Sequence, residues 1–277
     1  MADTPNSLSS EVTTMPLMLG KSPPKFHEKT LFYKNYHVAV PPPPLNCYYN
    51  LRISRLKWLM YLNDQLGCCA IADPAHTVLL DTSYTQKLPN PTDVQVLTAY
   101  EAVGGYDPSQ TQPDGSNPTD NGCAMTDVYN YWSTTGIAGD KIAGWVQIDP
   151  TNTVHVKQAI YAFGGVHMGV QLPNSAMDQF NAGEPWTVLS DDGGVAGGHD
   201  VYVPGYLGSD WICPVTWGQA IMASWAWMLK YCDEMYATFS VDWLAGATGF
   251  SPSHLNLTQL QQDALAVQQG SQQFKPR

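Results

Sequence analysis

Residues 63–72 read Asn63-Asp64-Gln65-Leu66-Gly67-Cys68-Cys69-Ala70-Ile71-Ala72. Small and apolar residues continue from Cys69, which gives a helix candidate over residues 69–81 that Pro74 interrupts. A thiol that opens a helix meets unsatisfied backbone N–H groups and the positive end of the helix dipole. Both favour the thiolate. Gly67 permits a tight turn just ahead of the helix. A side-chain amide upstream, such as that of Asn63, can donate to an oxyanion. The plain alternative is a buried cysteine pair with no chemistry, since free cysteine is often buried.

Two stretches further along the chain can meet this one. The first is Gly197-Gly198-His199-Asp200-Val201-Tyr202-Val203-Pro204-Gly205-Tyr206. Two glycines ahead of a histidine at a strand start leave its ring open on one side, where it can act as base to a thiol. The second is Val215-Thr216-Trp217-Gly218-Gln219, whose indole can form a lid over an imidazole. Taken singly, a structural histidine and a core tryptophan are the plainer readings of these two.

The ground between them reads as helices first and strands later. Residues 92–103 form a helix candidate with Thr92 and Asp93 near its start and Gly104 and Gly105 at its end. A long polar loop covers residues 106–121, a length often tied to function. Residues 125–134 and 154–163 are further helix candidates. Residues 166–172, 199–206 and 211–217 are strand candidates. Residues 221–236, apolar and rich in Trp, read as a helix. The order implies an α+β domain with two lobes.

Together the three stretches resemble the papain-like cysteine peptidases. That family places Gln a few residues before a helix-opening Cys, then Gly-His at a strand start, then Asn-Ser-Trp-Gly. Here Asn63 stands six residues before Cys69, Gly198-His199 matches the histidine motif, and Thr216-Trp217-Gly218 matches Ser-Trp-Gly. Asn121-Gly122 is similar to the family segment whose backbone pairs with bound peptide. The resemblance spans residues 45–240 or so. It is nearest to uncharacterised papain-like proteins of bacteria and their phages, through Leu19-Gly20-Lys21, Cys69, His76 and the run from Val215 to Gln219.

The resemblance implies a two-lobed fold with a helical lobe carrying the cysteine and an antiparallel β lobe carrying the histidine. It implies catalytic roles for Cys69, His199 and Asn63, and substrate contacts for Gly122, Gly198 and Trp217, with no metal and no cofactor. The sequence departs from the family in four places. Val215 stands where the family has the asparagine that orients its histidine, which leaves Asp191 or Asp192 as the expected partner. Asn63 is shorter than glutamine, Cys68 replaces a Ser or Asp, and Pro74 falls within the first turns of the nucleophile helix.

Residues 1–44 differ from the rest. They combine the proline run 41–44 with Leu17, Met18, Leu19, Phe26, Leu31, Phe32, Tyr33 and Tyr36. Polyproline favours an extended chain, and so many apolar residues require a surface to pack on. This segment reads as an extended arm, followed by a domain over 45–248 and a Gln-rich tail over 249–277. In the tail, Leu255, Leu257 and Leu260 suggest one short amphipathic turn. An arm that filled the cleft would inhibit the site, and removing residues 1–44 would then raise activity.

Composition narrows the remaining choices. The 277 residues are 44% hydrophobic, ample for a core, and 13% charged, about half the usual share. The formal charge of −11 disfavours nucleic acid. No apolar run reads as a membrane span and no signal peptide is read, so six mostly free thiols and a cytoplasmic or virion-associated location are expected. Two functions stand level. One is a cysteine peptidase or amide hydrolase acting on a peptide or amide substrate. The other is a catalytically inactive structural or binding protein of a multi-subunit assembly such as a phage virion, joined to protein partners or to copies of itself through the arm. A carbohydrate-binding variant using exposed aromatics ranks third.

Overall fold

The computed structural model describes residues 17–36, 40, 42–51, 57–85, 91–240, 243 and 262–266. The chain enters along an extended segment and adds β1 (Leu31–Phe32) to a sheet before β2 (Asn46–Tyr48). Three helices follow: α1 (Cys69–Thr85), α2 (Asp93–Gly104) and α3 (Met125–Thr134). Thr92 caps α2 in a capping box with Gln95, so two otherwise orphaned donors are satisfied. Then come β3 (Ile142–Gln147), α4 (Thr153–Phe163), β4 (Val166–Pro173) and α5 (Asn174–Asn181).

The remaining chain is mostly sheet: β5 (Val195–Val203), β6 (Gly205–Leu207), β7 (Trp211–Ile212), β8 (Val215–Thr216), β9 (Gln219–Ala220), β10 (Ala223–Ser224), α6 (Trp225–Tyr231) and β11 (Cys232–Ser240). One seven-stranded sheet has the order β1-β3-β11-β4-β5-β8-β9, and a four-stranded sheet has the order β10-β7-β6-β2. Among the described residues only β1 pairs in parallel as a strand; the other strand pairs are antiparallel. This is an α+β fold.

Two apolar clusters define the lobes. One holds Ile71, Val78, Val96, Tyr100, Val128, Trp132 and Trp145, and unites the three helices with one face of the large sheet. The other gathers Ile160, Val166, Val170, Val201, Trp186, Trp227 and Met235 on the opposite side. Cys69 belongs to neither cluster.

Helix α1 runs unbroken through Pro74 and beyond residue 81. A proline at the sixth position removes one bond to Ala70, and the helix is buried from Cys69 to Thr82, so packing outweighs the local loss. The helix expected over 221–236 is also corrected. Only Trp225–Tyr231 is helical, and the chain then extends into β11 between β3 and β4, whose edges require backbone partners. The strand candidate at 199–206 breaks at Pro204, and that at 211–217 breaks at Pro214, because proline cannot donate to the ladder. The turn expected near Leu255 lies outside the described residues.

Candidate active site

Cys69 is the first residue of α1. Its thiol is fully buried and pushed up to about 12 by that burial, with the Asp200 carboxyl adding to the rise. The backbone N–H groups of Asp200, Gly20 and Ala70 are aimed at the sulfur and act in the opposite direction. The sulfur therefore lies at the backbone amide of Asp200, the residue that follows His199 in the chain. Cys68 turns into the helical lobe, where its thiol donates to the Tyr61 carbonyl at 3.3 Å.

His199 pairs with Val170 across β4 and β5 and is fully buried. Its Nε2 lies 2.7 Å from Thr216 Oγ1, while its Nδ1 makes no hydrogen bond. Trp217 stacks on the imidazole, with centroids 4.4 Å apart and planes 15° from parallel. Burial lowers the imidazole to about 3, so the ring is neutral. The partner expected from Asp191 or Asp192 is not the one found. Asp191 accepts from Gly193 N, and Asp192 is engaged with Lys230, Tyr231 and Gly194. Thr216, one residue after Val215, supplies the contact instead. Val215 is paired with Tyr202 and buried with Leu79, Leu80 and Trp243, so its successor on the strand faces His199.

The expected oxyanion donor Asn63 is buried, and its amide donates to the carbonyls of Met18 (3.2 Å) and Leu66 (3.1 Å). The Trp217 indole donates to the same Met18 carbonyl at 3.2 Å. The arm thus lays a carbonyl between two donors at the site. It continues with Gly20, whose N–H points at the Cys69 sulfur. Lys21 N then donates to the Gly198 carbonyl (3.0 Å), Cys123 N to the Gly20 carbonyl (2.9 Å), and Ser22 N to the Cys123 carbonyl (2.9 Å). Gly122 and Gly198 line this path: a Cβ on Gly122 would overlap the Gly20 carbonyl, and one on Gly198 the Lys21 carbonyl.

Sequence reading missed the brace beneath the path. Asp120, at the end of the long polar loop, accepts from Gly67 N and from the Tyr100 hydroxyl, and that hydroxyl accepts from Gly122 N at 2.9 Å. The clustering of Asp and Asn in residues 106–121 was the available signal. Asp200 faces away from His199 toward Asp73, which in turn lies 2.8 Å from His167 Nδ1. Burial holds both carboxyls well above their usual range and lowers His167 to about 4, so burial disfavours charge on all three groups, and the Asp200 oxygens make no hydrogen bond. His76 lies between the Trp58 and Tyr61 rings with Nε2 on the Leu59 carbonyl (2.9 Å), apart from the cysteine.

Comparison with solved structures gives this geometry its context. Xylellain, a cysteine protease from Xylella fastidiosa, superposes with a TM-score of 0.61 at 12% identity, over 80% of this chain and 96% of its own. The chain has the papain-like fold. Two further matches share that papain-like architecture at a TM-score of 0.50. One is a structure from the mite allergens Blo t 1 and Der p 1, at 15% identity over 81% of this chain and 76% of its own. The other holds the cysteine protease and lectin-like domains of Cwp84, a surface layer associated protein of Clostridium difficile, at 12% identity over 81% of this chain and 62% of its own. No protein-family model matches the chain, and no curated protein does. Among the described residues no helix is long and apolar enough to cross a membrane.

Proposed function

We propose that the chain is a papain-type cysteine peptidase, or a related amide hydrolase, held latent by its own residues 17–22. The observation that carries this reading is the Cys69 sulfur at the Asp200 amide, beside a histidine whose Nδ1 is free, with the arm laid over both. Once the arm leaves, water reaches the cleft and the burial that keeps both groups neutral is relieved. Cys69 then gives its proton to His199 Nδ1, and the thiolate attacks a substrate carbonyl carbon. The Cys69 backbone N–H and the Asn63 amide donate to the developing oxyanion. His199 returns the proton to the leaving amine, and water hydrolyses the thioester. Thr216 keeps the imidazole in its pose by holding Nε2.

The arm binds the cleft through its backbone. It presents the Gly20 N–H to the sulfur, while the Gly20 carbonyl is turned to Cys123.

The test is labelling by a peptidyl epoxide, with peptide mapping, on the full chain and on Gly20→Ala. A Cβ at Gly20 would overlap the Gly67 carbonyl, so this variant is expected to expel the arm while leaving the side chains of Cys69, His199 and Asn63 in place. Little label on the parent chain and rapid, His199-dependent label on Cys69 in Gly20→Ala is expected. Equal slow labelling of several cysteines in both chains would sink the peptidase reading. It would favour the non-catalytic one, in which the arm is a structural brace.

A further inference from the structure

The Lys21 side chain leaves the cleft floor and enters the protein. Its side chain is fully buried, and its Nζ lies 2.9 Å from Glu234 Oε1 and 3.2 Å from Asp233. Both carboxylates are held in place from behind. The Tyr236 hydroxyl donates to Glu234 at 3.0 Å, and the Gln171 amide to Asp233 at 2.7 Å. The lysine stem runs over Gly169 and past the Met125 sulfur, and a Cβ at Gly169 would collide with Lys21, Glu234 and Met125 together. The absent side chain at position 169 therefore makes the channel. Its mouth opens between Gly198 and Cys123, the two backbone edges that hold Lys21, one residue from the position over the Cys69 sulfur.

A long methylene stem under apolar walls with a carboxylate at the end fits a lysine or arginine side chain and penalises an apolar one. A norleucine there would leave Glu234 buried without its cation. Resting on the peptidase reading above, we infer that this channel is the specificity subsite of the cleft, and that it selects peptide substrates carrying a lysine or arginine within two residues of the cleaved bond, on its Cys123 side. The arm's Lys21 occupies the subsite in the latent chain, so inhibition and specificity share one pocket.

Two measurements on the full-length Gly20→Ala chain test this, with Lys21→Ala as the background should the first not fold. The first compares kcat/KM for fluorogenic peptides bearing Lys, Arg, Leu or norleucine at each of the two residues before the cleaved bond. At one position the basic peptides are expected to lead by tenfold or more, and Glu234→Ala is expected to erase that lead. An equal or better rate with norleucine at both positions overturns the inference while leaving the peptidase reading intact. Should no peptide be cleaved, the peptidase reading falls and binding decides the subsite. A fluorescent peptide of sequence 17–25 is titrated into the same chain carrying Cys69→Ala, with Lys or norleucine at position 21. At least tenfold tighter binding of the lysine form, lost in Glu234→Ala, supports the cation subsite. Equal affinity, or no binding of either form, overturns it.

Discussion

At the scale of single residues, the two groups to be activated are both held neutral by burial, and each carries a measurable consequence. In the unfolded chain His199 titrates near 6.5, whereas in the folded chain burial lowers it to about 3. The native state therefore refuses a proton that the unfolded state accepts. The stability this contributes is complete above 6.5 and is lost as pH falls toward 3. Denaturant unfolding of the parent chain and of His199→Gln between pH 7 and 4 isolates it, because Asp73 and Asp200, which titrate in the opposite sense, are common to both chains. The parent is expected to lose stability relative to the variant by about 1.4 kcal/mol per pH unit in the steepest part of that window. Parallel curves would mean that His199 is protonated in the fold. Thr216 makes a second case. Thr216→Val leaves Nε2 buried without a partner, at a cost of about 1–3 kcal/mol in stability. In the Gly20→Ala background it is expected to lower kcat/KM by at least about tenfold, through loss of the base's orientation. Thr216→Asn, whose amide oxygen can accept from Nε2, is expected to recover most of that loss, and an unaltered rate in Thr216→Val would remove Thr216 from the mechanism.

At the scale of elements, the site was legible where a residue's role depends on its own chain position. Cys69 opens α1, Thr92 caps α2, and α3 spans the residues its pattern implied, because caps and helix starts are written in local sequence. The partner of His199 was not legible. Whether Val215 or Thr216 faces the imidazole depends on the pairing of β8 with β5, which turns on a contact between Val215 and Tyr202 thirteen positions away in sequence. Strand β11 was hidden for a related reason. Its residues from Met235 to Ser240 are buried on both faces, so no alternation of period two marks them, and the preceding Trp-rich turn lent them a helical appearance. The α2 cap offers a direct check on the local side of this distinction. Thr92→Ala removes the hydroxyl that accepts from Gln95 N, while the residue-92 N–H still donates to Gln95 Oε1, and it is expected to cost about 1 kcal/mol, read as a lowered denaturation midpoint with an unchanged m-value. Since α2 carries Tyr100, which braces Gly122 through its hydroxyl, the same variant is expected to loosen the arm's path and raise the slow labelling of Cys69 in the latent chain.

At the scale of the whole molecule, the arm is two devices joined end to end, and truncation separates them. Residues 17–22 fill the cleft, where Leu17 and Leu19 are only partly buried against the larger apolar cluster. The next stretch is part of the fold. Thr30 accepts from the Trp145 indole at 3.0 Å, β1 extends the large sheet beside β3, and Leu31, Tyr33 and Val40 are buried in the larger apolar cluster. Each of those three side chains contributes about 1.5–3 kcal/mol, a large share of the roughly 5–15 kcal/mol that holds a domain together. Removing residues 1–44 as a unit would therefore uncover the core along with the cleft. A chain lacking 1–22 is expected to keep its circular dichroism and melt within a few degrees of the parent while Cys69 becomes open to a peptidyl epoxide. Glu234, deprived of Lys21, is then hydrated by the opened cleft rather than stranded. A chain lacking 1–44 is expected to melt far lower or to aggregate, with all of its cysteines reacting alike. If the longer truncation proved as stable as the shorter, the arm would be an add-on to a self-sufficient domain, and the parallel pairing of β1 would carry no weight in the fold.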